Sequence, residues 1–177
     1  EGKSAMTTAE IAAQLFGAAG ILVFIILYQF NTMKNVLKAK MVMDVFWAAH
    51  YLLMGASSAF AINMICLCRE FVFLNRDKKF FASRIWLWVF IAFNLVSAAI
   101  TWKSYYSIFP AIASSLATVS FGQKSVKTAR VIGISNNVLM SIYDLVVGSY
   151  MGLAGEALAF TSVLIAICKN RRKQTAA

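Results

Sequence analysis

Apolar residues recur along this chain in long unbroken runs, separated by short basic stretches. The runs are about 17–20 residues long, the length a helix needs to cross the hydrocarbon core of a bilayer. Seven helices are predicted, over residues 11–30, 37–54, 58–74, 85–101, 105–122, 131–147 and 153–168. A membrane barrel would instead alternate apolar and polar positions. The expected class is therefore an all-α membrane protein.

Ala13, Gly17 and Gly20 give the first helix a small-residue stripe suited to close helix contact. Two turns carry no charge, one at Gly55 and one at Gly148. Every other connection is basic. Lys34, Lys38 and Lys40 fall in the first, and Arg76, Lys78, Lys79 and Arg84 in the next. Lys124, Lys127 and Arg130 follow, and the chain closes on Lys169, Arg171, Arg172 and Lys173. Seven crossings put all of these on one side and leave Lys3 and Lys103 on the other. Basic loops stay in the cytoplasm, so the N-terminus is expected outside and the C-terminus inside.

Gly148 follows Gly55 by 93 residues (148 − 55). That shift lays helices 1, 2 and 3 over helices 5, 6 and 7. Phe16 falls on Phe109, Lys34 on Lys127, Leu52 on Leu145 and Ala61 on Ala154. With helix 4 as a single crossing between them, the triple-helix units are parallel. The expected architecture is 3+1+3. Residues 1–10 are a tail, 11–76 the first repeat, 83–102 the linker helix, 104–169 the second repeat and 170–177 a basic cytoplasmic tail. Residues 1–6 resemble an added expression sequence. Internal repeats with a polar site near the membrane midplane are a common transporter build.

Polar residues intrude on both repeats. Asp44, Trp47 and Tyr51 share one face of helix 2, and Asn137, Met140 and Asp144 are their mates on helix 6. Asn63 on helix 3 pairs with Glu156 on helix 7. An acid at the bilayer centre costs about 2.5–3.5 kcal/mol, so Asp44, Asp144 and Glu156 must face the interior, water or each other. These eight residues are the candidate substrate site. His50, Asp144 and Glu156 are the candidate proton-exchanging groups. Arg69 and Glu70, near the basic end of helix 3, read as a solvated helix end.

Composition narrows the class further. The chain has 177 residues, 60% hydrophobic and 14% charged, leaving little for a soluble domain. Its net charge of +10 follows from the topology of the loops and points away from nucleic acid. Cys66, Cys68 and Cys168 lie in apolar surroundings with a single histidine in the chain, so neither a zinc set nor a disulfide framework is expected. No phosphate loop and no nucleophile–base pair stands out, so neither an enzyme nor a cofactor is expected.

The segment His50-Tyr51-Leu52-Leu53-Met54-Gly55 followed by Asn63 resembles the YgjV family of small bacterial inner-membrane proteins. Phe109-Pro110-Ala111-Ile112-Ala113-Ser114 and the Gly148…Glu156 turn resemble it too. The likeness covers most of residues 11–172 and implies an inner-membrane location. The family is similar in architecture to the SWEET, PQ-loop and PnuC group, which implies the same 3+1+3 bundle. In SWEET transporters an asparagine on the third helix and aromatics on the second line the cavity, implying Asn63, Glu156, Trp47 and Met140 here. Two positions depart from that pattern: Glu156 stands for an asparagine and Met140 for an aromatic. Pro110 is the only proline. An acidic site suits an amine-bearing solute or proton coupling better than a neutral sugar.

The expectation is a small-solute transporter in contact with membrane lipids, with Gly148, Gly152 and Gly155 offering a face for self-association. The alternative is a membrane receptor or assembly partner using the same cavity, as retrieval receptors of that helical group do. A polar cavity sealed at one end favours ligand binding or transport, and a closed dry bundle favours assembly.

Overall fold

Hydropathy trims expected helices 6 and 7 at their flanking charges, whereas the backbone continues past them. A computed structural model describes residues 8–27, 29–54, 57–100, 102, 105–147 and 150–175. Among the described residues there are seven α-helices, one short 3-10 turn and no strand. They are α1 (Thr8–Leu27), α2 (Met33–Leu53), α3 (Ser57–Leu74), α4 (Ile85–Ile100), α5 (Ile108–Gly122), α6 (Val126–Val147) and α7 (Tyr150–Thr175). The 3-10 turn, Tyr105–Ser107, leads into α5. The uncharged turns expected at Gly55 and Gly148 lie outside the described residues.

Caps explain the longer helices. Thr32 Oγ1 accepts the Asn35 N–H at 3.4 Å and starts α2 ahead of its lysines. Ser125 Oγ accepts the Thr128 N–H at 3.4 Å and starts α6 ahead of Lys127 and Arg130. Each cap satisfies an N–H that has no partner within the helix. Lys40 and Arg130, expected in loops, therefore lie inside helices and are buried. α7 likewise runs through the stretch expected as a tail. Pro110 sits in the first turn of α5, where no intrahelical bond is lost.

By length and apolarity taken alone, α1 is the one described helix sufficient to cross a membrane. α4, α5 and the segment Gly155–Cys168 are apolar but shorter. The outer surface is nevertheless that of a lipid-facing protein. Leu15, Leu22, Val45, Leu52, Trp88, Ile100 and Leu145 are all exposed. In water, so much apolar surface would drive association.

α2 packs between α1 and α3, and α6 packs between α5 and α7. α3 meets α5, α7 returns to α1, and α4 lies against α5. Six helices thus close a circuit, with α4 on its outside.

A buried apolar cluster lies at one end. Leu27, Met33, Leu37, Phe73, Phe90, Phe121, Ala129 and Val163 form one buried cluster. Most come from the last turns of α1, α3 and α5 and the first turns of α2 and α6. Phe73 meets Phe90 edge-on at 5.9 Å. The loops after α1, α3 and α5 gather at this end. Arg76 Nη1 donates to the carbonyls of Gly122 at 3.2 Å and Gln123 at 2.8 Å. Lys34 pairs with Asp77 at 2.7 Å. Their hydrogen bond holds the Asp77 carboxyl below the usual carboxylate range.

Candidate functional site

The polar residues of α2 separate into two groups. Trp47, His50 and Tyr51 form an aromatic trio. Trp47 lies 5.7 Å from Tyr51 in a stacked pair and 5.4 Å from His50 edge-on. Two of the trio, His50 and Trp47, pack against the small-residue stripe of α1. His50 Nδ1 donates to the Ala13 carbonyl at 2.7 Å. A Cβ on Gly17 would lie 3.1 Å from His50 Nδ1, and one on Gly20 would lie 3.0 Å from Trp47 Nε1. The stripe expected to allow close contact therefore admits these two rings. The face of α2 that carries Trp47 and His50 is committed to α1.

One turn and more toward the basic end, Asp44 is 2% exposed. Lys40 Nζ donates to Asp44 Oδ1. Arg69 and Glu70 of α3 stand beside this pair. Their expected solvated position is incorrect: Arg69 is 3% exposed and Glu70 0%. Arg69 grips Glu70 Oε1 through Nε at 3.2 Å and Nη2 at 2.7 Å. It also donates from Nη1 to Thr118 Oγ1 of α5 at 3.0 Å. α3 turns these two residues inward because its outer face is the lipid-facing one, carrying Phe71 at 48% exposure.

On the far side of Thr118 lies a cavity of about 560 Å³, within the range of small-molecule sites. Ile62 and Ile65 of α3 line it, with Asn94 and Ser97 of α4 and Ser114 of α5. Tyr106 stands at its rim before α5, Asn136, Met140 and Tyr143 come from α6, and Glu156 comes from α7. Among the described residues, apolar and aromatic walls thus surround one carboxylate and several amides and hydroxyls. The Asn137 amide is 1% exposed. With its nitrogen turned toward them, it lies 3.2 Å from both Glu156 Oε2 and the Gly133 carbonyl. Asn137 so orients the acid without itself lining the cavity.

The structure brings Asn137, Met140 and Glu156 together at this cavity. Asp44, Trp47, Tyr51 and His50 are elsewhere, as described above, so the expected single site is divided. Asn63 is half-buried on α3, beside Ile62. Asp144 lies on α6, and its side chain is outside the described residues.

A family described as bacterial inner membrane protein, Imp-YgjV, matches residues 11–174. The chain belongs to the YgjV family. No curated protein and no solved structure matches it. As a YgjV-family member the chain is a bacterial inner membrane protein, and the exposed apolar helix faces have their solvent in the bilayer.

Several residues of the YgjV chain's cavity escaped the sequence reading. Asn94 is the only amide in the run 85–101 and was a visible signal, overlooked because helix 4 read as a linker. Asn136, mid-helix beside Asn137, was visible in the same way, whereas Tyr106 and Tyr143 gave no such signal, since tyrosines near helix ends are common in membrane proteins.

Proposed function

We propose that the chain is a small-solute transporter whose substrate carries an amine and an apolar body. The observation that carries this reading is the cavity in which Glu156 is the one carboxylate among the described residues, set among Ile62, Ile65, Met140, Tyr106 and Tyr143. A carboxylate in such walls is stabilised by a cation that also buries apolar surface, and tyrosine faces add attraction for an ammonium group. The cavity lies toward the end of the bundle opposite the aromatic core around Phe73, Phe90 and Phe121. Such an arrangement suits a site closed from one side. The reading assigns no reaction chemistry to the site.

Alternating access follows from a two-fold build, and three features support that build. α6 begins 93 residues after α2 (126 − 33), and α7 begins 93 after α3 (150 − 57). The caps Thr32 and Ser125 are separated by the same shift. The two seams between the triple-helix units are exchanged by it as well, α3 against α5 and α7 against α1. In this reading the units are the 3+1+3 repeats of a SWEET-like bundle that crosses the membrane seven times. Its basic loops face the cytoplasm, its N-terminus lies outside, and the units rock about the cavity.

Purified protein in liposomes, loaded with a panel of amines, amino acids and neutral sugars, tests the reading. Uptake of an amine-bearing solute, lost in Glu156→Gln, is expected. Uptake confined to neutral or anionic solutes overturns it.

A further inference from the structure

The two seams between the helix triplets are built from equivalent positions, and they differ in one respect. At the α7–α1 seam, Ser162 Oγ donates to the Ile25 carbonyl at 2.6 Å, and Gln29 Nε2 donates to Ser162 Oγ at 3.2 Å. Shifted back by 93, Ser162 becomes Arg69 and Val163 becomes Glu70, while Thr118 is the mate of Ile25. The α3–α5 seam therefore makes the corresponding contact, Arg69 to Thr118, with charged groups. Gly133 is the mate of Lys40, so that charge too has no counterpart. A neutral contact suffices to join α7 to α1, with the buried Arg130 of α6 donating to the Phe30 carbonyl beyond it at 2.9 Å. The buried charges at the α3–α5 seam are then not a packing requirement, and apolar residues of similar volume are often as stable as a buried ion pair.

The charged seam also leaves capacity unused. Asp44 Oδ2 and Glu70 Oε2 are both buried and have no hydrogen-bond donor among the described residues. Both carboxylates are already paired through their other oxygen, with Lys40 and Arg69. A bare carboxylate oxygen in a low-dielectric interior is a place for a proton. Around it stand Lys40 of α2 and Cys66, Arg69 and Glu70 of α3. From α5 come the neutral Thr118 hydroxyl and the Phe121 ring, whose centroid is 5.7 Å from Lys40 Nζ and 5.6 Å from Arg69 Cζ.

This group is wired to the cavity. Asn94 Nδ2 donates to Thr118 Oγ1 at 2.9 Å and to the Ser114 carbonyl at 3.2 Å, and both Asn94 and Ser114 line the cavity. Thr118 is thus held by Arg69 from one side and by the cavity wall from the other.

We propose that Lys40, Asp44, Arg69 and Glu70 form a proton-binding site coupled to the cavity through Thr118 and Asn94. A proton from water adds to one bare carboxylate oxygen and forms an O–H bond. No other bond forms or breaks. The group passes from net zero to +1, Lys40 and Arg69 then repel without full compensation, and Arg69 loosens from Glu70 and from Thr118. The seam that closes the cavity toward the basic end is thereby released. The coupling rests on the cavity being the solute site, whereas proton binding does not.

Infrared spectroscopy of the full chain in lipid nanodiscs reads the proton directly. As the pH is lowered from about 8 to about 4, the span over which carboxyl groups protonate, a protonated-carboxyl C=O band is expected to grow. A component of it should survive in Glu156→Gln and disappear in Asp44→Asn and Glu70→Gln. The double variant Arg69→Ser/Glu70→Val, which copies the neutral contact, should retain its helical circular dichroism and show a smaller component, since Asp44 Oδ2 alone remains in it. A band unchanged in Asp44→Asn, Glu70→Gln and the double variant overturns the proton site. In liposomes, solute uptake should depend on pH in the parent chain and become pH-independent in the double variant. Uptake that is absent at every pH, or pH-dependent to the same degree in both, overturns the coupling, and the infrared result stands apart from it.

Discussion

Arg69 and Thr118 meet across the seam between α3 and α5, with Nη1 donating to Oγ1 at 3.0 Å. The same threonine oxygen accepts from Asn94 of α4, so one hydroxyl ties three helices. Thr118→Val keeps the shape and removes the acceptor, leaving the buried Arg69 Nη1 donor without it. A loss of about 1–3 kcal/mol is expected. It reads as a lower unfolding midpoint in detergent, and Thr118→Ser should restore most of it. A valine variant as stable as the parent would show that the hydroxyl bears no strain.

Breaking the buried pair from one side should be costlier than neutralising both partners. Arg69→Ala leaves Glu70 buried and uncompensated and is expected to cost about 3–5 kcal/mol, whereas Arg69→Ser/Glu70→Val should cost clearly less. Chemical unfolding of the two variants side by side measures the difference.

Gly17 and Gly20 admit His50 and Trp47 to α1. Gly20→Leu drives a branched side chain into the Trp47 ring and is expected to cost about 1–3 kcal/mol through overpacking. Gly155→Ala is the control, since a Cβ there meets nothing within 4 Å. Equal midpoints for the two variants would contradict the packing described.

The Lys34–Asp77 pair closes the basic end at the surface. Asp77 titrates below the usual carboxylate range, so its contribution is present at neutral pH and lost only as the pH falls through that lowered value. Asp77→Asn should therefore shift the midpoint slightly at pH 7 and not at all in strong acid. The shift should shrink in high salt, because the pair is exposed. A variant whose shift is the same in acid and at neutral pH would contradict this.

Much of this structure could be read from the sequence because hydropathy and small residues act locally. The helix order, the α1 stripe and the inward placing of Glu156 follow from periodicity and from the cost of a bare acid in lipid, whereas its contact with Asn137 does not. The division of the α2 polar face could not be read, because it depends on which neighbour each side of that helix meets. Trp47 and His50 turn to α1 and Asp44 turns to α3, although one face holds Asp44 and Trp47 in sequence terms. Arg69 and Glu70 were misplaced for a related reason. Charges near a helix end usually reach water, and only the closure of α3 against α5 buries these two. Helix starts were missed wherever a cap, Thr32 or Ser125, carried the helix past its lysines.

The central claim is that Glu156 receives the amine of a solute in the cavity. A thermal-shift screen of amine-bearing and neutral metabolites against the parent chain and Glu156→Gln tests it most directly. A ligand at a hundred times its dissociation constant adds about 2.7 kcal/mol to stability, which is ample to detect. The account predicts at least one amine-bearing compound that stabilises the parent and leaves Glu156→Gln unshifted. Compounds that stabilise both chains equally, or a panel in which only neutral or anionic compounds stabilise the parent, would contradict it.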